Sequence, residues 1–112
     1  MSNRINKVQD EIVEEFSLFD DPADAGQAWM GKYEHIIEIG KELPEMDEKY
    51  KTDDNFVRGC QARVWLHAYM ENGGLKFYAD SDALITKGLV ALMVRVLSGN
   101  KPEEIAKADL YF

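Results

Sequence analysis

Residues 55–66, NFVRGCQARVWL, hold the chain's single cysteine, Cys60, directly after Gly59, directly before Gln61 and between Arg58 and Arg63. The thiolate, not the thiol, is the sulfur nucleophile, so two nearby guanidinium groups favour the reactive form where their side chains face it. Gly59 removes a side chain beside the sulfur and lets another backbone come close. Most free cysteines are small buried hydrophobes, and that reading stands as the alternative. A packing cysteine, however, would fit inside the β-prone run that follows, not at its glycine-marked entrance. The pattern suits a thiol that must meet a large reaction partner.

Other chemistries find less support. A Cys–His nucleophile needs a base within hydrogen-bond reach and a group that orients it, and only His35 and His67 are available. On an extended strand His67 would lie well over ~15 Å from Cys60, so the spacing supports no triad. No CxxC, HxxxH or HExxH pattern is present for zinc. The acidic runs DDPAD, DEKYKTDD and DSD lack the ligand spacing and central glycine of a calcium loop. The glycines of ENGG do not make a phosphate-binding loop.

The chain has 112 residues, enough for one domain and hardly two. Its 46% hydrophobic and 30% charged residues give it a modest but real core without a metal or disulfide. A net charge of −8, from 13 basic and 21 acidic residues, repels phosphate backbones and anionic lipid. Neither nucleic acid nor membrane is therefore an expected partner. The opening residues MSNRINKVQDEIVEEF carry charge throughout, and no segment has the uninterrupted apolar length of a membrane span. A lone thiol without a disulfide mate fits a reducing, cytoplasmic setting.

The elements that must position Cys60 follow from periodicity. Ile5, Val8, Ile12, Phe16 and Phe19 form one stripe of a helix over residues 3–19. Asp20 or Asp21 with Pro22 starts a second helix bearing Trp29, Tyr33, Ile36, Ile37 and Gly40, which ends near Leu43-Pro44. Residues 44–56 read as a polar, irregular loop leading to the cysteine. From Ala62 the period becomes two. Ala62, Val64, Leu66, Ala68 and Met70 point one way as a core face; Arg63, Trp65, His67 and Tyr69 point the other, and the Trp65, His67 and Tyr69 face is amphipathic, for a helix to cover. Glu71 to Gly74 turns the chain into a hairpin that resumes at Leu75. Asp80, Ser81 and Asp82 offer caps and first-turn acids for a third helix with Ile85, Leu89, Leu92, Met93 and Val96 inward and Gly99 at its end. Pro102-Glu103-Glu104 opens a short last helix. The whole is an α+β domain.

Two stretches, FVRGCQARVW and ADSDALITKGLVALM, resemble the SufE family of sulfur-acceptor proteins. The first is similar to that family's Gly-Cys-Gln motif ending in Val-Trp, the second to its Asp-Ser-Asp turn into a Gly-Leu-Val helix. YEHIIEIGKELPEM is similar to its tyrosine-bearing helix with a Leu-Pro exit, so the resemblance runs through nearly the whole chain. It implies one domain over residues 1–112 with a curved antiparallel β-sheet and helices packed on it, like the IscU-type scaffolds. Members usually carry a further helical region with an arginine, asparagine and glycine motif, which does not occur before Phe112.

The resemblance further implies a function. Cys60 would accept sulfane sulfur from the persulfide of a pyridoxal-phosphate-dependent cysteine desulfurase of the SufS type and stimulate that enzyme. It would then relay the sulfur to an iron–sulfur assembly scaffold of the SufBCD type. Gly59 and Gln61 are carried over as the cysteine's loop context, and Asp80 and Asp82 as the element beside it. Arg58 and Arg63 occupy variable motif positions, so their electrostatic role is inferred from charge alone. The protein would be an accessory carrier more than an enzyme, with no cofactor or metal of its own, since the pyridoxal phosphate belongs to the donor. A loop over residues 50–61 is expected to shift on docking. The competing expectations are a desulfurase-docking module that carries no sulfur, and a zinc- or cluster-binding scaffold.

Overall fold

A computed structural model describes residues 4–19, 28–59 and 61–110, with Ala28 and Trp29 in backbone only. Helix α1 is Arg4–Ser17 and α2 is Ala28–Lys41. Strands β1, Val64–Glu71, and β2, Gly74–Ser81, form an antiparallel hairpin. Helix α3, Leu84–Leu97, and the short α4, Pro102–Ala106, follow. The described residues thus form an α+β arrangement of helices around a two-stranded sheet. The capping role expected of Asp20, Asp21 and Pro22 lies outside the described residues, as does the Trp29 side chain.

The core sits where α1 crosses α3. Ile5 and Ile12 meet Leu92 and Val96, all nearly inaccessible, with Phe16, Ile39 and Ile105 packed around them. The spacing that predicted a stripe on α1 is therefore its buried face.

On α3 the expectation needs correction. The inward face is Gly88, Ala91, Leu92 and Val96, whereas Leu89 is 48% and Met93 37% exposed. The cause is the close crossing with α2. A Cβ at Gly40 would lie 2.8 Å from the Gly88 nitrogen, and one at Gly88 would collide with the Ile36 carbonyl. Helices this close need small residues at the contact, so the bulky apolar positions are turned aside. Hydrophobicity alone ranks them the other way.

The hairpin turns on Asn72 and Gly73, with φ of 53° and 81°. Two successive positive φ values define the tight turn whose twist matches the flanking strands. It sets the register in which Trp65 faces Asp80, His67 faces Tyr78 and Met70 faces Leu75. The turn end of β2 is fastened to the exit of α3. There Gly99, at φ +85°, donates to the Leu75 carbonyl at 2.6 Å and Leu75 donates to Asn100 at 2.9 Å.

Both faces of β1 differ from expectation. Val64 is buried, but Leu66 and Met70 are 38% and 57% exposed. The Trp65, His67 and Tyr69 face is covered by the 3-10 turn Glu48–Tyr50 over His67 and by Phe56 against Trp65, in place of a longer helix. Tyr50 stacks on His67 at 4.3 Å and on Tyr78 at 5.3 Å, and Lys51 lies 5.6 Å over the Trp65 ring. The supposedly irregular 44–56 stretch is also ordered by a second such turn, Asp53–Asn55, and by Met46, 2% exposed.

Candidate functional site

The residues flanking Cys60 form a loop closed at its base. Val57 donates its N–H to the Val64 carbonyl at 2.8 Å, and Phe56 bridges Trp65 in antiparallel fashion. The two rings of that bridge meet edge to face, 6.0 Å between centroids. The chain therefore leaves the sheet after Val57 and returns at Val64. Cys60 itself lies outside the described residues. Its neighbours Arg58, Gly59 and Gln61 are all exposed. Gly59 has φ +89° and open space around it, so its backbone conformation, not crowding, is what calls for glycine.

Asp82 secures the returning limb. Its Oδ1 accepts the Arg63 N–H at 2.9 Å, its own N–H donates to the Arg63 carbonyl at 3.1 Å, and its Oδ2 lies 3.4 Å from Arg63 Nε. Asp80 stands on β2 beneath Trp65 and is paired with Lys51 at 2.9 Å and Lys87 at 3.5 Å. Burial works against its charge, but hydrogen bonds from Lys51 and the Ser81 N–H, with the Lys87 charge, hold its carboxyl below the ordinary aspartate value. Lys51 in turn is raised by its bonds to Asp80 and Glu48.

These placements correct the capping role expected of Asp80, Ser81 and Asp82. Strand β2 continues through Ser81, α3 begins at Leu84 without a side-chain cap on its preceding residue Ala83, and its first turn has no acid. Ser81 Oγ accepts the Ala83 N–H at 3.3 Å. Asp82 instead ties the end of the hairpin to the loop through Arg63, and Asp80 pairs with Lys51. Lys51 and Lys87 were not singled out by sequence reasoning, because their relevance depends on two distant segments meeting at Asp80.

The two arginines do different things. Arg63 is engaged by Asp82, so its charge is shared with a carboxylate. Arg58 is exposed and makes no ion pair among the described residues. His67 is held in the stack with Tyr50 and Tyr78. His35 lies on α2, its Nε2 3.0 Å from Glu15 and its ring against Phe16 and Phe19. Each histidine is thus absorbed in packing. Among the described residues no three His, Cys, Asp or Glu side chains gather to hold a metal ion, and no helix is long and apolar enough to cross a membrane.

Beside the loop base an apolar hollow of about 330 Å³ opens between the sheet and α3, lined by Val57, Val64, Leu66, Phe77, Val90 and Met93. Val57 and Val64 thus belong both to the hollow and to the loop's hinge points.

The fold and loop define an α+β domain that holds the segment between Val57 and Val64 beyond the open end of a hairpin. Residues 10–112 match the family model of the SufE, Fe-S metabolism associated, domain. An uncharacterized SufE-like protein of Rhizobium meliloti is 38% identical over 104 residues, which cover 89% of this chain and 69% of the relative. One of Rhizobium etli is 39% identical over 106 residues, 91% of this chain and 67% of the relative. SufE-like protein 1, chloroplastic/mitochondrial, of Arabidopsis thaliana is 39% identical over 98 residues, 87% of this chain and 24% of that longer protein. The chain belongs to the SufE family, and its domain is associated with iron–sulfur metabolism.

Proposed function

We propose that Cys60 is a sulfur acceptor which takes sulfane sulfur from the persulfide of a SufS-type cysteine desulfurase and passes it to a SufBCD-type assembly scaffold. The observation that carries this reading is the loop closed at Val57 and Val64, with exposed Arg58, Gly59 and Gln61 around the cysteine position. A docked protein can reach such a loop without opening the core. The net charge of −8 favours a donor with a basic face.

In the transfer step Cys60 loses its proton to solvent and its thiolate attacks the outer sulfur of the donor persulfide. A new bond forms between Cys60 Sγ and that sulfur, the donor's S–S bond breaks, and the donor cysteine leaves as a thiolate. The exchange is redox-neutral and reversible, so a downstream thiol can remove the sulfur by the same chemistry. Exposed Arg58 supplies positive charge on the loop, while Arg63, tied to Asp82, acts chiefly by position. Pyridoxal phosphate stays with the donor. A reducing cytosol is the compartment in which such a thiol remains free.

Mass spectrometry after incubation with a desulfurase and cysteine tests the proposal. One or more added sulfur atoms on the Cys60 peptide are expected, with none in Cys60→Ser. Desulfurase stimulation that survives Cys60→Ser, with no sulfur added to the wild type, would identify a docking module instead.

A further inference from the structure

We infer that Lys51 is a positioning residue for sulfur transfer, which fastens the limb entering the cysteine loop onto Trp65 and Asp80 of the hairpin. The inference rests on the acceptor reading of Cys60 and adds to it the residue that sets the entering limb.

The two limbs of the loop are held differently. The returning limb is tied through Arg63 to Asp82. The entering limb, residues 48–57, touches the sheet through Tyr50 at one end and through Phe56 and Val57 at the other. Among the described residues, Lys51 makes the one ion pair between this limb and the hairpin. Its Nζ lies 2.9 Å from Asp80 Oδ2, 3.2 Å from Glu48 Oε1 and 5.6 Å from the centre of the Trp65 ring. The Glu48 side chain is 86% exposed, so that pair adds little. Asp80 is only 14% exposed and Lys51 21%, so water and salt screen their attraction far less. The ammonium also sits over an aromatic face, whose quadrupole attracts a cation.

These contacts converge on Trp65. Asp80 is its cross-strand partner. Lys51 lies over its ring, and Phe56 meets that ring edge to face at 6.0 Å. One limb thus grips one indole at two points, and the grip ends at Val57, three residues before Cys60. A shift of the limb at Lys51 is passed through Trp65 to the place where the loop leaves the sheet. The hairpin itself does not need Lys51 in the same way. Without it Asp80 keeps the Ser81 N–H at 2.8 Å and Lys87 at 3.5 Å, so no carboxylate is orphaned. Loss of the lysine charge frees the limb and leaves the fold in place. A loop whose base wanders presents its sulfur in fewer productive orientations, which slows the transfer step and not the encounter.

Lys51→Met keeps an aliphatic stem over Trp65 and removes the charge, whereas Lys51→Arg keeps a cation there. Single-turnover loading of Cys60, followed by mass spectrometry over a range of desulfurase concentrations, separates rate from affinity. The saturating rate should fall at least ~5-fold in Lys51→Met, with the half-saturating concentration within ~2-fold of the unaltered chain. Lys51→Arg should recover most of the rate. Exchange of the Val57 amide should rise at least ~10-fold in Lys51→Met, while the Leu75 amide, bonded to Asn100, keeps its protection. An unchanged saturating rate or unchanged Val57 exchange would overturn the inference. So would a change confined to the half-saturating concentration, which marks a donor contact, or a Lys51→Arg chain as slow as Lys51→Met. An unaltered chain that takes up no sulfur would remove the acceptor reading and this inference with it. Equal loading in the unaltered chain and Lys51→Met would remove this inference alone.

Discussion

The side chain of Gln9, fully buried on α1, donates to the backbone carbonyl of Asp109 at 3.0 Å and so joins the start of the fold to its far end. Losing a hydrogen bond made by a buried side chain costs about 0.5–1.5 kcal/mol. Gln9→Ala should lower the urea unfolding free energy by that amount. Hydrogen exchange near Ala108 and Asp109 should rise with it.

Asp82 predicts a separable effect on the cysteine loop. Its carboxylate is half-exposed, so Asp82→Ala should cost only ~1 kcal/mol of global stability. Because it receives the Arg63 N–H, that amide should exchange much faster in the variant. Sulfur loading of Cys60 should slow several-fold. Asp82→Asn retains an oxygen that can accept from Arg63 and should restore most of the protection.

Gly88 and Gly59 should respond to alanine for opposite reasons. At Gly88 the added methyl meets the Ile36 carbonyl, so the helices must separate, and overpacking of this kind costs about 1–3 kcal/mol. At Gly59 there is room, but φ is +89°, and a side chain there costs roughly 1–2 kcal/mol or reshapes the loop. Gly88→Ala should therefore lower the denaturation midpoint with sulfur transfer intact in the folded fraction. Gly59→Ala should impair transfer more than stability.

Acid should weaken the fold through Glu15 and Asp80. Burial opposes the charge of Glu15, but hydrogen bonds from His35 and Arg95 hold its carboxyl below the ordinary value of 4.5. Asp80 lies below 3.8 for the parallel reasons given above. A carboxylate depressed on folding contributes stability that is complete above its unfolded value and is lost as pH falls through the folded one. Thermal midpoints should thus hold steady down to the ordinary carboxylate range and drop below it. Glu15→Gln should begin less stable and lose less on acidification.

Docking of a desulfurase should change hydrogen exchange within a narrower stretch than residues 50–61. Asn55 donates to the Tyr50 carbonyl at 2.8 Å, and Tyr50 is stacked on the hairpin, so the approach to the loop is anchored. Protection should alter at residues 58–63 and stay constant at residues 47–56. Unchanged exchange at residues 58–63 would refute the expected loop movement.

Residues with strong local preferences were legible in order of sequence. The stripe from Ile5 to Phe16, the Asn72-Gly73 turn, Gly99 after α3 and Pro102 at the start of α4 all carry their conformation in their own chemistry or spacing. Gly59 is different: the sequence reads as room for another backbone, whereas nothing among the described residues stands within 4 Å of it and its positive φ is what calls for glycine. The roles of Asp80 and Asp82 were misread locally, because an acid before a helix has the same appearance whether it caps that helix or reaches back across a hairpin. Only the pairing of β1 with β2 sets Asp82 against Arg63, and only the return of the 48–51 turn brings Lys51 to Asp80.

By itself the sequence determined which segments are helical and where the hairpin turns, since these depend on steps of a few residues. The tertiary structure decided which face of α3 is inward, what covers Trp65 and His67, and how both limbs of the cysteine loop are held. Those outcomes depend on how closely two backbones approach at Gly40 and Gly88 and on partners far apart along the chain. Neither quantity has a local trace in composition or periodicity.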